Sequence, residues 1–256
     1  MNRMGWWLTG LTVTVSAAFG GWAVNRAASP WTLRAVHLPS GEVFASARPI
    51  TVAILDTGMS EQPVLDGVQR AGYSFVSGPA RGGRGRASSA LASRGGVGDH
   101  GTAVAGVVHS VNPQALLLHV RVVSRLNRLS LRSAVDALRW AAGLEVPGTP
   151  PNRFPARVIN ASFTLNSVPK TGCAPAMQRA VDEVLAHGSV IVVSAGNRDA
   201  PAALNTPAGC RGVIAEGGIF GCSRPSPCEP SWLESRFSQR RAGEQAGHGV
   251  DSTWIV

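Results

Sequence analysis

The sequence predicts an α/β domain built on a mainly parallel sheet. Three observations lead there: short aliphatic runs that are continuous rather than alternating, helical stripes between them, and small or polar turn residues closing several runs. Hydrophobic residues make up 44% of the 256, enough for a sizeable core and too many for a disordered chain. No collagen-like period or heptad run occurs, which excludes fibrous and coiled-coil architectures.

The elements follow in chain order. Thr51-Val52-Ala53-Ile54-Leu55 reads as a strand feeding the turn Asp56-Thr57-Gly58. A helix is expected over Thr102–Ser110, and a second strand over Leu116–Val123. Leu131, Ala134, Val135, Leu138, Ala141 and Ala142 share one helical face, and that helix stops at Gly143. Arg157–Ser162 is a third strand. Met177, Ala180, Val181, Val184 and Leu185 form a second helical stripe ending at His187-Gly188. Ser189–Ser194 is a fourth strand, closed by Ala195-Gly196-Asn197, and Val213-Ile214-Ala215 is a candidate fifth. Sites in such sheets form at the carboxyl ends of the strands, where Asp56 and Asn197 both fall.

The ends of the chain differ from this middle. Arg3 precedes an uncharged stretch from Trp6 to Val24, so residues 1–28 read as a signal peptide or an N-terminal anchor. Gly10, Gly20 and Gly21 weaken it as a spanning helix, which favours export over a membrane anchor at residues 6–24. A linker or short pro-segment follows over 29–48, the folded domain spans 49–219, and a Pro-, Arg- and Gly-rich divergent tail occupies 220–256.

The net charge is +9, carried almost wholly by arginine, since Lys170 is the one lysine. The arginines are scattered except around Arg81, Arg84 and Arg86, in a Gly- and Ser-rich segment without aromatics on which bases could stack. That segment reads as a solvated loop, not as a nucleic-acid surface. Cys173, Cys210, Cys222 and Cys228 form an even set, as in a disulfide-bonded exported protein, and allow three pairings. None has the spacing of a zinc ribbon, so no metal site is expected. His37, His109, His119 and His248 likewise have no ligand-like spacing.

Three segments carry chemistry: Val-Ala-Ile-Leu-Asp-Thr-Gly at 52–58, Asp-His-Gly-Thr-Ala-Val-Ala-Gly at 99–106, and Val-Ser-Ala-Gly-Asn at 193–197. Each alone is an ordinary turn or helix start. In this order and strand context, the chain resembles the subtilisin-like serine proteases, the subtilases, and most of all their secreted bacterial members. The resemblance runs from about Thr51 to about Gly218 and includes Ala-Leu-Arg-Trp-Ala-Ala-Gly at 137–143, Val-Ile-Asn-Ala-Ser at 158–162 and Pro-Ala-Gly-Cys-Arg-Gly-Val-Ile-Ala at 207–215. An aspartic protease is disfavoured, because no second Asp-Thr-Gly or Asp-Ser-Gly supplies the paired carboxylate.

The resemblance implies a three-layer subtilisin-like fold, incomplete at the C-terminus, acting on peptide or protein substrates outside the cytoplasm, in a secreted or periplasmic location. It implies His100 as general base, Asp56 as its orienting carboxylate, Asn197 as oxyanion donor and Ser162 on the substrate-binding strand. It also implies a Cys173–Cys210 disulfide, as similar secreted proteases bridge these segments. Three departures stand out. Phe163-Thr164 follow Ser162 where the family usually has Gly. Gly78–Gly98 holds no Asp or Glu, so the calcium found in many relatives is not expected there, and no cofactor is expected elsewhere. No Gly-Thr-Ser segment occurs, so the nucleophile is missing. The chain is therefore expected to be a truncated and inactive protease; a peptide-binding pseudoprotease is the alternative.

Overall fold

The computed structural model describes residues 49–60, 62–76, 85–86, 100–124, 126–165, 168, 171–197 and 201–217. All of them lie within one unit of the chain, Gly41–Val256. The elements are β1 (Thr51–Asp56), β2 (Gln69–Ser74), β3 (Gly85–Arg86), α1 (His100–Val111), β4 (Leu116–Arg121), α2 (Leu131–Ala142), β5 (Val158–Ala161), α3 (Pro175–Ala186), β6 (Val190–Ser194) and β7 (Ile214–Glu216). Short 3-10 turns lie at Pro63–Leu65 and Ala202–Leu204. The strands form one sheet in the order β3-β2-β4-β1-β5-β6-β7, parallel throughout except for the β2–β3 pair.

The alternation of side chains along each strand assigns the two faces. Ala53, Leu55, Leu118, Val120, Ile159, Ala161, Ile191 and Val193 point into the larger core, shared with the apolar stripes of α2 and α3. Val52, Ile54 and Leu117 point the other way, against Val104 and Ala105 of α1 and Leu65 of the 3-10 turn. Strands β1 and β4 are covered on both faces, which explains their continuous apolar sequence. A large side chain fully buried here contributes about 1.5–3 kcal/mol.

Both stripe-bearing helices form as their sequences predict. Ser130 caps α2, its hydroxyl accepting from the Ser133 amide at 3.0 Å. Gly143 ends it in the left-handed region at φ 94°, which other residues rarely adopt. The structure departs from the sequence expectation in two places. Helix α1 starts at His100 rather than Thr102, and β2 and β3 join the sheet although neither was expected.

Candidate active site

Asp56 is the last residue of β1, and the strand alternation turns it toward α1, the same way as Val52 and Ile54. Its side chain is 2% exposed. His100 opens α1, and its Nδ1 lies 2.9 Å from both Oδ1 and Oδ2 of Asp56. A carboxylate only accepts, so Nδ1 carries the hydrogen and Nε2 is left as the basic nitrogen of the neutral ring. The hydrogen bond to Asp56 raises the His100 pKa above its usual 6.5; burial opposes this and the carboxylate charge adds to it. Asp56 Oδ1 also accepts from the Thr57 amide at 2.6 Å, so the carboxylate is held from two sides.

The approach of α1 to β1 depends on Gly101. A side chain there would run into the carbonyl of Gly58 and sit 3.0 Å from Asp56 Cβ. The same contact region has two cross-links that the sequence alone did not reveal. Thr57 Oγ1 accepts from the Gly101 amide at 3.0 Å, and Thr102 Oγ1 accepts from the Ser60 amide at 2.9 Å. The Asp-Thr-Gly and His-Gly-Thr segments each read as a local turn or cap; their threonines bond across 44 and 42 residues instead.

Ser162 follows β5 and is half-buried, its hydroxyl accepting from Asn160 Nδ2 at 2.8 Å. Just after it, the Phe163 amide turns back to the Ala161 carbonyl at 2.9 Å. Asn197 lies beyond the end of β6 and is exposed. The turn before it is tethered through Ala195, whose amide donates to Glu216 O at 2.8 Å and whose carbonyl accepts from the buried Asn205 at 3.4 Å. Nothing in the sequence around Asn205 signalled that role. Asp56 at the end of β1, Ser162 just after β5 and Asn197 beyond β6 thus lie at the carboxyl ends of three neighbouring parallel strands, where α/β sheets carry their sites.

Cys173, just before α3, is bonded to Cys210, with the two Cα atoms 4.6 Å apart. Thr206 ties the same two segments, accepting from the Ala174 amide and donating to Gly172 O, both at 2.9 Å. Cys222 and Cys228 lie outside the described residues, as do the 220–256 tail and the 6–24 segment. Among the described residues no cluster of three or more His, Cys, Asp or Glu could hold a metal. The carboxylate-free stretch Gly78–Gly98, of which only Gly85–Arg86 is described, does not suit a hard cation such as calcium. Among the described residues no helix is long and apolar enough to cross a membrane.

Comparison with known proteins follows the same lines. The subtilase family model matches residues 47–242. An extracellular protease of Xanthomonas campestris pv. campestris is 34% identical over 197 residues, covering 67% of this chain and 33% of that protein. An extracellular basic protease of Dichelobacter nodosus is 28% identical over 208 residues, covering 70% and 34% respectively. Among solved structures, a protease from Pseudoalteromonas arctica aligns with a TM-score of 0.60 at 28% identity, over 71% of this chain and 60% of that one. A structure titled a psychrophilic protease, 20% identical with a TM-score of 0.51 over 78% of this chain and 64% of its own, shares the fold. The chain spans about a third of the length of the curated relatives it matches.

Proposed function

The chain belongs to the subtilase family, and on that premise we propose that it is a secreted subtilisin-like serine endopeptidase domain whose acid–base pair is Asp56 and His100, and that these 256 residues on their own do not turn over. The observation that carries this reading is the His100–Asp56 contact: a buried carboxylate holding Nδ1 of a part-exposed imidazole whose Nε2 is the remaining basic nitrogen.

In this reading Nε2 takes the proton from a serine hydroxyl as it attacks the peptide carbonyl and returns it to the leaving amine. Asp56 fixes the tautomer and stabilises the imidazolium while it exists. The Asn197 side-chain amide donates to the developing oxyanion, a contact worth about 3–4 kcal/mol of barrier where such donors have been removed. The extended substrate pairs with the backbone around Ser162 by strand addition. The substrate class is peptide or protein, and the names of the extracellular relatives support secretion.

The absence of a Gly-Thr-Ser segment favours a second reading, a peptide-binding module without chemistry. One experiment separates the two. The chain is expected neither to label with a fluorophosphonate nor to hydrolyse casein. Extending it after Gly217 with a serine-bearing segment of a subtilase is expected to restore both, and His100→Ala is expected to abolish both again. A folded chimera that stays inert would favour the binding module. Labelling of the unextended chain would show that it holds a nucleophile of its own.

A further inference from the structure

Thr57 lies beside the acid–base pair without belonging to it, yet it bonds on both sides of that pair. Its amide donates to Asp56 Oδ1 at 2.6 Å, and its hydroxyl accepts from the Gly101 amide at 3.0 Å. Gly101 follows His100 in the first turn of α1, where amides have no partner within their own helix. A cap for such an amide normally comes from a residue just before the helix. Here the oxygen comes from 44 residues upstream, out of the strand end that carries the carboxylate.

That arrangement ties the very end of β1 to the very start of α1, whose later turn already packs on the sheet through Val104 and Ala105. The position of Asp56 is set by β1 and its neighbours in the sheet, whereas the position of His100 is set by where α1 begins. A helix start is prone to fraying, so its first residue needs an external fix to hold a ring nitrogen 2.9 Å from a carboxylate. The Thr57 hydroxyl supplies the fix at the residue next to His100. The Ser60 amide adds a second, donating to Thr102 Oγ1 at 2.9 Å. Gly101 allows the approach, because any side chain there would meet Gly58 O.

We propose that Thr57 is a positioning residue for His100: its side-chain oxygen caps α1 from the Asp56 turn and thereby holds the imidazole against the carboxylate. The proposal rests on the reading of Asp56 and His100 as the acid–base pair, but its test does not need turnover. Thr57→Val keeps the branched shape and removes the acceptor; Thr57→Ser keeps the acceptor and removes the methyl.

The first measurement uses the unaltered full chain. Amide exchange followed by NMR is expected to show Gly101 protected, and free exchange at Gly101 would overturn the proposal without any variant. The second is an NMR titration of His100 in both variants. In Thr57→Val the pKa is expected to fall from its raised value toward 6.5, as the contact with Asp56 loosens, while a cooperative melt is retained. Thr57→Ser is expected to titrate like the parent. Thr57→Val titrating like the parent, or Thr57→Ser shifting as far as Thr57→Val, would refute the role of the hydroxyl. The expected shifts in a chain whose folded, serine-bearing extension stays inert would refute the proposed function and leave the positioning role of Thr57 standing.

Discussion

Lowering the pH should destabilise this fold through one buried histidine outside the site. His119 lies in β4 on the α1 side of the sheet, beside Leu117 and level with Ile54 of β1. It is 8% exposed, and its Nε2 has no hydrogen-bond partner among the described residues. Desolvation therefore penalises the imidazolium and lowers its pKa from 6.5 to about 4. An unfolded chain takes up this proton near 6.5 and the folded chain only near 4, so the unfolded state binds more protons in between. Stability from this group is full above 6.5 and is lost as the pH falls toward 4. By linkage the loss is about 2 kcal/mol between pH 7 and 5, and about 3 kcal/mol by pH 4. Other titrating groups act in the same range. His100 works in the opposite direction, its contribution being present below 6.5 and lost as the pH rises through its raised folded value. The assay is therefore a difference: urea melts of the parent and of His119→Leu from pH 4 to 8, in which shared groups cancel. The parent should lose about 2 kcal/mol more than the variant between pH 7 and 5. Parallel curves for the two proteins would refute the reasoning.

Three further outcomes follow from particular contacts. Ser130→Ala, which removes the α2 cap on the Ser133 amide, should cost about 1 kcal/mol in a denaturant melt, and no change would mean that water replaces the cap. Replacing both Cys173 and Cys210 by Ser opens a loop with a sequence separation of 37 and should cost about 4 kcal/mol on the chain-entropy account; a loss under about 1 kcal/mol would place the main restraint in the Thr206 bonds instead. On β6, Val193→Thr, at 1% exposure in the main core, should cost about 1–3 kcal/mol, whereas Val192→Thr on the half-buried opposite face should stay within about 0.5 kcal/mol. Equal costs at the two positions would mean that both faces of the strand are covered.

The elements legible in the sequence were those whose signal is local. Thr51–Leu55 and Ser189–Ser194 are dense in β-branched residues, and the α2 stripe ends at a glycine whose φ requires one, so strand, helix and stop were all readable. Strand β2 was not. Its sequence Gln-Arg-Ala-Gly-Tyr-Ser holds one large apolar side chain, Tyr73, and includes a glycine that lies against the His119 backbone. What makes it a strand is pairing with β4, with a shift in register between Arg70 and Tyr73, and no local pattern encodes that. The start of α1 escaped for the same reason: its first-turn partner is Thr57, far away in sequence. In the site, residue types and order pointed to Asp56 and His100, which the structure brings into contact, and to Asn197, which lies exposed beyond β6. The bonds that hold them, from Thr57, Thr102 and Asn205, join distant segments and became visible only in three dimensions.

The uneven cover of the sheet bears on what the site still requires. On the α2 and α3 side, the strands from β1 to β6 feed one continuous core. On the α1 side, the buried cluster takes in β1 and β4 and reaches only Val158 of β5, as a partly buried neighbour. Beyond it Val190 and Ile214 are 44% and 47% exposed. A groove of about 360 Å³ opens there, lined by Val52, Val107, Val111, Val158 and Val192. Apolar surface of this kind costs free energy in water, in proportion to its area. The groove lies along the second half of the helix that begins with His100, and against the first residues of β1 and β5 and the middle of β6. The proposed base and the proposed oxyanion donor thus flank a sheet face that the described residues leave partly uncovered. The proposed chemistry takes a hydroxyl within about 3 Å of His100 Nε2, held on an element rigid enough to keep it there. Packing such an element into this groove would meet both needs together, because the apolar contact that anchors the hydroxyl would also remove the exposed surface from water.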